Sequence, residues 1–217
     1  YLMPLYKTIT VNSNTKVLIW KIEESYKELN DGINLTDKSA IRVNNMKSEL
    51  HQRGFLSIRH LLASEGYTDH DLFYDKNGKP HLHNGLHISI THSFTFSAII
   101  ISVIEVGIDI EKQRDKILRI AHKFTKTDDY QSLNHQDSMI RKLTIVWCAK
   151  ESLYKSFNRV GLTFLNHIFV DDFNFYSKQT TALVDFEDKK ETYHIWFFEF
   201  EGFTCAYALL NKRKKND

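Results

Sequence analysis

Val106-Gly107-Ile108-Asp109-Ile110-Glu111 is the stretch on which the reading of this chain turns. Branched apolar residues alternate there with a glycine and two acids, the two-residue period of a strand. Side chains at i and i+2 leave one face, so Asp109 and Glu111 point together while Ile108 and Ile110 enter a core. Two adjacent carboxylates repel, and one takes up a proton unless a cation lies between them. A hard divalent ion such as Mg²⁺ suits an all-oxygen set. Solvated acids on an edge strand are the alternative, and the pattern alone leaves both open.

Working outward toward the C-terminus, helical periodicity covers residues 116–124, 127–133 and Gln136–Phe157. Strand-like runs occupy 168–173, 182–186, 193–200 and 204–210. Toward the N-terminus, strands are expected at 17–22, 87–91 and 96–104, a short helix at 23–29 and a long helix over 39–65. Residues 75–80 form a turn, because Asn77-Gly78 accepts positive φ and the Pro80 ring restricts the backbone at its exit. The pattern predicts an α+β fold of two lobes, each an antiparallel sheet packed with helices. The N-terminal lobe is expected at 1–104 and the C-terminal lobe, with the paired acids, at 105–217.

Trp147, Glu151 and Lys155 recur at i, i+4 and i+8 of the Gln136–Phe157 helix and so lie along one stripe. Taken alone, Glu151 and Lys155 are an ordinary stabilising pair on a helix surface, and Trp147 a core residue. Lys150 leans off that stripe. A third cluster is Ile88-Ser89-Ile90-Thr91-His92-Ser93, a strand running into hydroxyls and a histidine. Such groups can cradle a phosphate, or simply finish a strand.

Bulk properties narrow the classes. A net charge of +2 from 29 basic and 27 acidic residues is too small to argue for nucleic acid. The basic run Lys212-Arg213-Lys214-Lys215 reads as a solvated terminus. No apolar run is long enough to span a bilayer, and Pro4 with the polar stretch 8–16 interrupts any leader; Met3 is read as the native start. Cys148 and Cys205 have neither metal-ligand nor redox spacing, which suits a reducing cytoplasm. His81, His83 and His87 cluster beside the turn; exposed histidines are favoured there over a transition-metal site.

Taken in order, the motifs resemble one family. Gly107-Ile108-Asp109-Ile110-Glu111 is similar to a G-[IV]-D-[IV]-E motif, and Trp147-Cys148-Ala149-Lys150-Glu151-Ser152-Leu153-Tyr154-Lys155 to W-x-x-K-E-[SA]-x-x-K. Thr91-His92-Ser93 and Asn77-Gly78-Lys79-Pro80 resemble its Ser/Thr-His-Ser turn and x-G-K-P segment, and Phe124-Thr125-Lys126-Thr127-Asp128-Asp129-Tyr130 its intervening segment. Thr91 stands where serine is commoner and Asp129 where glutamate is. The family is the 4'-phosphopantetheinyl transferase superfamily, in its longer form with two pseudo-symmetric halves.

That resemblance implies transfer of the phosphopantetheine arm of coenzyme A to a serine of an apo acyl or peptidyl carrier protein, releasing 3',5'-ADP. It implies Mg²⁺ on Asp109, Glu111 and Glu151, with Glu151 as base, directly or through a metal-bound water, and Lys155 on a phosphate oxygen. Arg53, Arg59, Lys79, Pro80, Thr91 and His92 would hold coenzyme A, His92 at the 3'-phosphate, in a cleft between the lobes. For Arg59 a helix-surface ion pair is the competing role. Segment 124–133 would dock the carrier. The expected protein is a cytoplasmic monomer with neither nucleic-acid nor membrane partners. A non-catalytic binding module and a magnesium phosphohydrolase built on the same acids are the rival readings.

Overall fold

A computed structural model of the chain describes residues 5–126, 133 and 135–211. The chain divides into two compact units, Tyr1–Val103 and Ile104–Asp217. The expected 127–133 helix, Asp128, Asp129 and Tyr130, the basic run 212–215 and residues 1–4 lie, apart from Leu133, outside the described residues.

In the first unit, strands β1 (Lys7–Asn12) and β2 (Thr15–Lys21) precede helices α1 (Tyr26–Asn30), α2 (Asp37–Asn44) and α3 (Glu49–Ala63). Strands β3 (Leu72–Tyr74), β4 (Pro80–Leu82), β5 (His87–Ser93) and β6 (Phe96–Ser102) complete it. They form an antiparallel sheet in the order β1-β2-β6-β5-β4-β3. Leu18, Trp20, Ile88, Ile99 and Ile101 leave one face of it and pack with Phe55, Leu56, Ile58, Leu61 and Leu62 of α3. Each such side chain contributes about 1.5–3 kcal/mol of transfer free energy when fully buried.

The single long helix expected over 39–65 is two helices. Asn45 caps the end of α2, its N–H donating to Ile41 O at 3.1 Å, and Ser48 is extended where α3 begins. Short polar side chains favour such caps over helix interiors, so Asn44, Asn45 and Ser48 break what the apolar spacing suggested.

The second unit runs β7 (Val106–Lys112), α4 (Lys116–Ile120), α5 (Gln136–Phe157), α6 (Phe164–His167), β8 (Ile168–Val170), β9 (Gln179–Phe186), β10 (Lys189–Phe200) and β11 (Phe203–Leu210). Its antiparallel sheet has the order β7-β11-β10-β9-β8, which leaves β7 at an edge. Helix α5 packs Ile145, Cys148, Ala149 and Leu153 over Tyr193, Ile195, Phe197, Ala206 and Ala208. It stops at Asn158, whose left-handed backbone (φ 49°) returns its N–H to Tyr154 O. The architecture is α+β, as the patterning implies. Among the described residues no helix is long and apolar enough to cross a membrane.

Candidate active site

The pleat of β7 sends Gly107, Asp109 and Glu111 to the face that α5 covers. Register confirms the assignment: Asp109 pairs with Ala206 and Gly107 with Ala208, both packed beneath α5. Contact is close because residue 107 has no side chain. A Cβ there would lie 1.8 Å from the carbonyl oxygen of Ser152. The Ser152 hydroxyl then pins helix to sheet by donating to Ala206 O at 2.9 Å.

Asp109 is buried to 5% exposure, and Lys155 reaches it from α5, Nζ donating to Oδ1 at 2.7 Å and to Ile108 O at 2.9 Å. Burial works against the Lys155 charge, but the Asp109 carboxylate outweighs it and raises the lysine above its ordinary pKa. Glu151 is pushed up to about 7, first by burial, then by the negative charge of Asp109, partly offset by Lys155, with Glu111 adding to the rise. The three acids therefore share one electrostatic neighbourhood. Among the described residues, however, no three His, Cys, Asp or Glu side chains are gathered as a ready metal cage. Lys155 holds Asp109 instead. A set of three carboxylates, one kept near half-protonation by burial and the other two, still has the chemistry that a hard cation relieves.

Lys150, beside Glu151, has a different environment. Its buried ammonium donates to Phe124 O (2.6 Å), Phe164 O (2.8 Å) and Ile168 O (2.6 Å), tying two separate chain segments to α5. Trp147 meets Phe124 edge-on at 5.1 Å and Phe164 at 5.3 Å, and Tyr154 meets Phe164 at 5.7 Å. An aromatic surface thus flanks Glu151 along the helix. A cavity of about 140 Å³ beside Glu111 is bounded by Lys112, Arg114, Lys116, Ile117, Thr144 and Trp147, among others. Of the segment expected to dock a carrier, only Phe124, Thr125, Lys126 and Leu133 are described.

In the first unit, Thr91 and His92 are neighbours on β5, so their side chains leave opposite faces. His92 lies against α3 at Gly54, where a Cβ would come within 2.9 Å of Nδ1. That close approach explains a glycine inside a helix, and it brings His51 within 6.1 Å of the His92 ring. Sequence reasoning misses both Gly54 and His51; a lone glycine within an otherwise helical pattern is the available signal. Arg53 donates from Nη2 to Ile22 O at 3.1 Å, while its buried Nε has no hydrogen-bond partner among the described residues. Lys79 and Pro80 close the turn expected at 75–80, with Gly78 at φ 83° and Lys79 N donating to Asp75 Oδ1 at 3.0 Å.

Arg59 forms an ion pair, and a buried one. Its side chain is 3% exposed and its Nε donates to Asp69 Oδ1 at 2.8 Å. Nη1 reaches Phe55 O, Nη2 reaches Ser39 Oγ, and the guanidinium lies 3.5 Å from the Phe55 ring centroid. Asp69 also accepts from Thr36 N, Thr36 Oγ1 and Ser39 Oγ. This buried knot ties α2 to α3 and commits the guanidinium to Asp69, Ser39 and Phe55. Among the clustered histidines, His81 faces His87 across the sheet and approaches Asp75 Oδ2 at 3.2 Å, while the Phe73 ring stacks on both His81 and His83.

The paired acids of edge strand β7 thus lie under a helix that carries a glutamate and a lysine one turn apart. Residues 105–208 match the 4'-phosphopantetheinyl transferase superfamily. Over 163 residues the chain is 30% identical to 4'-phosphopantetheinyl transferase gsp of Aneurinibacillus migulanus, a match that covers 72% of this chain and 67% of that protein. The chain belongs to the 4'-phosphopantetheinyl transferase superfamily and is a transferase of that type.

Proposed function

We propose that the chain transfers the 4'-phosphopantetheine arm of coenzyme A to a serine of an apo carrier protein in a Mg²⁺-dependent reaction that releases 3',5'-ADP. The observation that carries this reading is the placement of Asp109 and Glu111 on the face of β7 covered by α5, with Lys155 bonded to Asp109 and Glu151 raised to about 7.

Asp109, Glu111 and Glu151 are the residues to hold Mg²⁺, which when bound polarises a pyrophosphate and offsets charge on the leaving group. The bond formed joins the serine oxygen to the β-phosphorus; the bond broken joins that phosphorus to the bridging oxygen, which leaves with 3',5'-ADP. The serine proton passes to Glu151, directly or through a water. Lys155 exchanges its contact with Asp109 for a phosphate oxygen, freeing that carboxylate for the ion. His92 and Arg53 hold a phosphate of the donor. Lys79 and Pro80 flank its nucleotide end, and Thr91 offers a hydroxyl from the other face of β5. Two buried thiols, Cys148 and Cys205, fit a reducing cytoplasm, where we place the protein as a monomer.

Incubation with an apo carrier, coenzyme A and Mg²⁺ is expected to add one phosphopantetheine mass to the carrier, and Asp109→Ala to abolish the gain. Release of 3',5'-ADP without any acceptor, or full transfer by Asp109→Ala, would overturn this reading.

A further inference from the structure

Asp75 divides its two carboxylate oxygens between a turn and a ring. Oδ1 accepts from the backbone N–H of Asn77 at 2.8 Å and from that of Lys79 at 3.0 Å. Oδ2 lies 3.2 Å from His81 Nε2. A carboxylate can only accept, so that ring nitrogen carries its proton and donates it. Backbone bonds close the same turn, Asp75 N donating to Lys79 O and Gly78 N to Asp75 O, each at 3.0 Å. The Asp75 carboxyl is held below its ordinary pKa, first by the Lys79 N–H, with His81 and the Asn77 N–H adding to it against the effect of burial. Asp75 is therefore a charged acceptor at neutral pH.

The imidazole is itself held in place. Phe73 faces His81 in the β3–β4 register, and its ring stacks on His81 at 5.3 Å and on His83 at 4.7 Å. Stacking fixes the plane of the imidazole and so the direction in which Nε2 donates. The hairpin has need of such an anchor. Its two strands are three residues each, β3 is the edge of the sheet, and β4 meets β5 at the pair His81–His87. Hairpins this short order weakly on their own. The turn at their tip ends on Lys79 and Pro80, the residues placed above at the nucleotide end of the donor. We propose that His81 is a positioning residue for coenzyme A: through Asp75 it fixes the turn of residues 75–79, and with it the place of Lys79 and Pro80. Each link in that chain is a hydrogen bond already described, from imidazole to carboxylate and from carboxylate to the Lys79 backbone.

This inference rests on the donor-binding role proposed for Lys79 and Pro80, and the test separates the two. Coenzyme A is titrated into the full chain and its Kd read by isothermal calorimetry. His81→Leu keeps bulk and removes the donor; it is expected to raise the Kd about fivefold, the scale of a part-exposed ion pair. His81→Gln sets an amide N–H near the place of Nε2 and is expected to restore wild-type binding. Asp75→Ala releases the turn as well as the ring and is expected to raise the Kd about tenfold. The His81 side chain is 37% exposed, so these substitutions at its position leave the fold intact. Wild-type affinity in His81→Leu or Asp75→Ala, while Lys79→Ala binds weakly, refutes the positioning role and leaves the turn as a donor contact. His81→Gln as weak as His81→Leu also refutes it, since the ring would then matter rather than its N–H. Wild-type affinity in Lys79→Ala removes the donor role of the turn and the inference together.

Discussion

Gly107→Ala is the substitution from which most can be learned. The added Cβ would sit 1.8 Å from Ser152 O, and an ordinary contact begins near 3.4 Å, so β7 and α5 must part locally by 1.6 Å. Backbone lies on both sides, and Ser152 is bonded to β11, so no flexible side chain can absorb the change. Overpacking of this kind costs about 1–3 kcal/mol. Loss of glycine's freedom in the unfolded chain returns only about 0.4–1 kcal/mol, so strain wins. A net loss of about 1.3 kcal/mol lowers Tm by roughly 3–5 °C in a chain of this size. Activity should fall further than stability, because Asp109 is two residues from the strained point and Glu151 adjoins Ser152. A misplacement of about 1 Å can cost about 100-fold in rate. Melting by circular dichroism, and carrier modification by mass spectrometry well below Tm, measure the two effects. A Gly107→Ala protein with wild-type Tm and wild-type kcat/KM would refute the close-packing argument.

Gly54→Ala should behave oppositely: the helix gains about 1 kcal/mol of propensity while the His92 ring is displaced, so KM for coenzyme A rises with Tm steady or higher. An unchanged KM would remove His92 from donor binding. Arg59→Ala leaves Asp69 buried without its cation and should cost about 3–5 kcal/mol in a denaturant melt with KM for coenzyme A unaltered; a raised KM at full stability would restore the nucleotide role. Burial alone would raise the pKa of Asp69, but the Thr36 N–H, the Ser39 hydroxyl and Arg59 hold it below 3.8. Its stabilisation is therefore complete above the unfolded pKa and lost as pH falls through the lower folded one. Tm measured from pH 5 to pH 2 should fall less steeply in Asp69→Asn than in the wild type.

Periodicity makes the helices and strands legible where burial is one-sided. The span Gln136–Phe157 is legible at both ends, because its apolar stripe is long and Asn158 stops it. Spacing fails at residues 44–48, where capping residues interrupt an apolar pattern that continues beyond them. The acids on β7 can be read because a strand's pleat is a local property. Partners joined by folding cannot be. Arg59 and Asp69 stand ten residues apart with no periodic signal. The Gly54 approach to His92 depends on where β5 crosses α3. Thr204 and Glu111 are paired only through strand register. The motif alone assigns Lys155 to a phosphate, whereas its ammonium is bonded to Asp109 and the β7 backbone.

The three carbonyls around Lys150 come from residues 124, 164 and 168, so a single ammonium ties the segment after α4 to the start of α6 and the start of β8. Three N–H bonds diverging from one nitrogen match acceptors that converge on a point; a flat guanidinium cannot reproduce that geometry. Arginine at this position should therefore be as damaging as a neutral residue, although it preserves charge. Lys150 thus serves the fold, immediately beside the glutamate proposed to serve the chemistry.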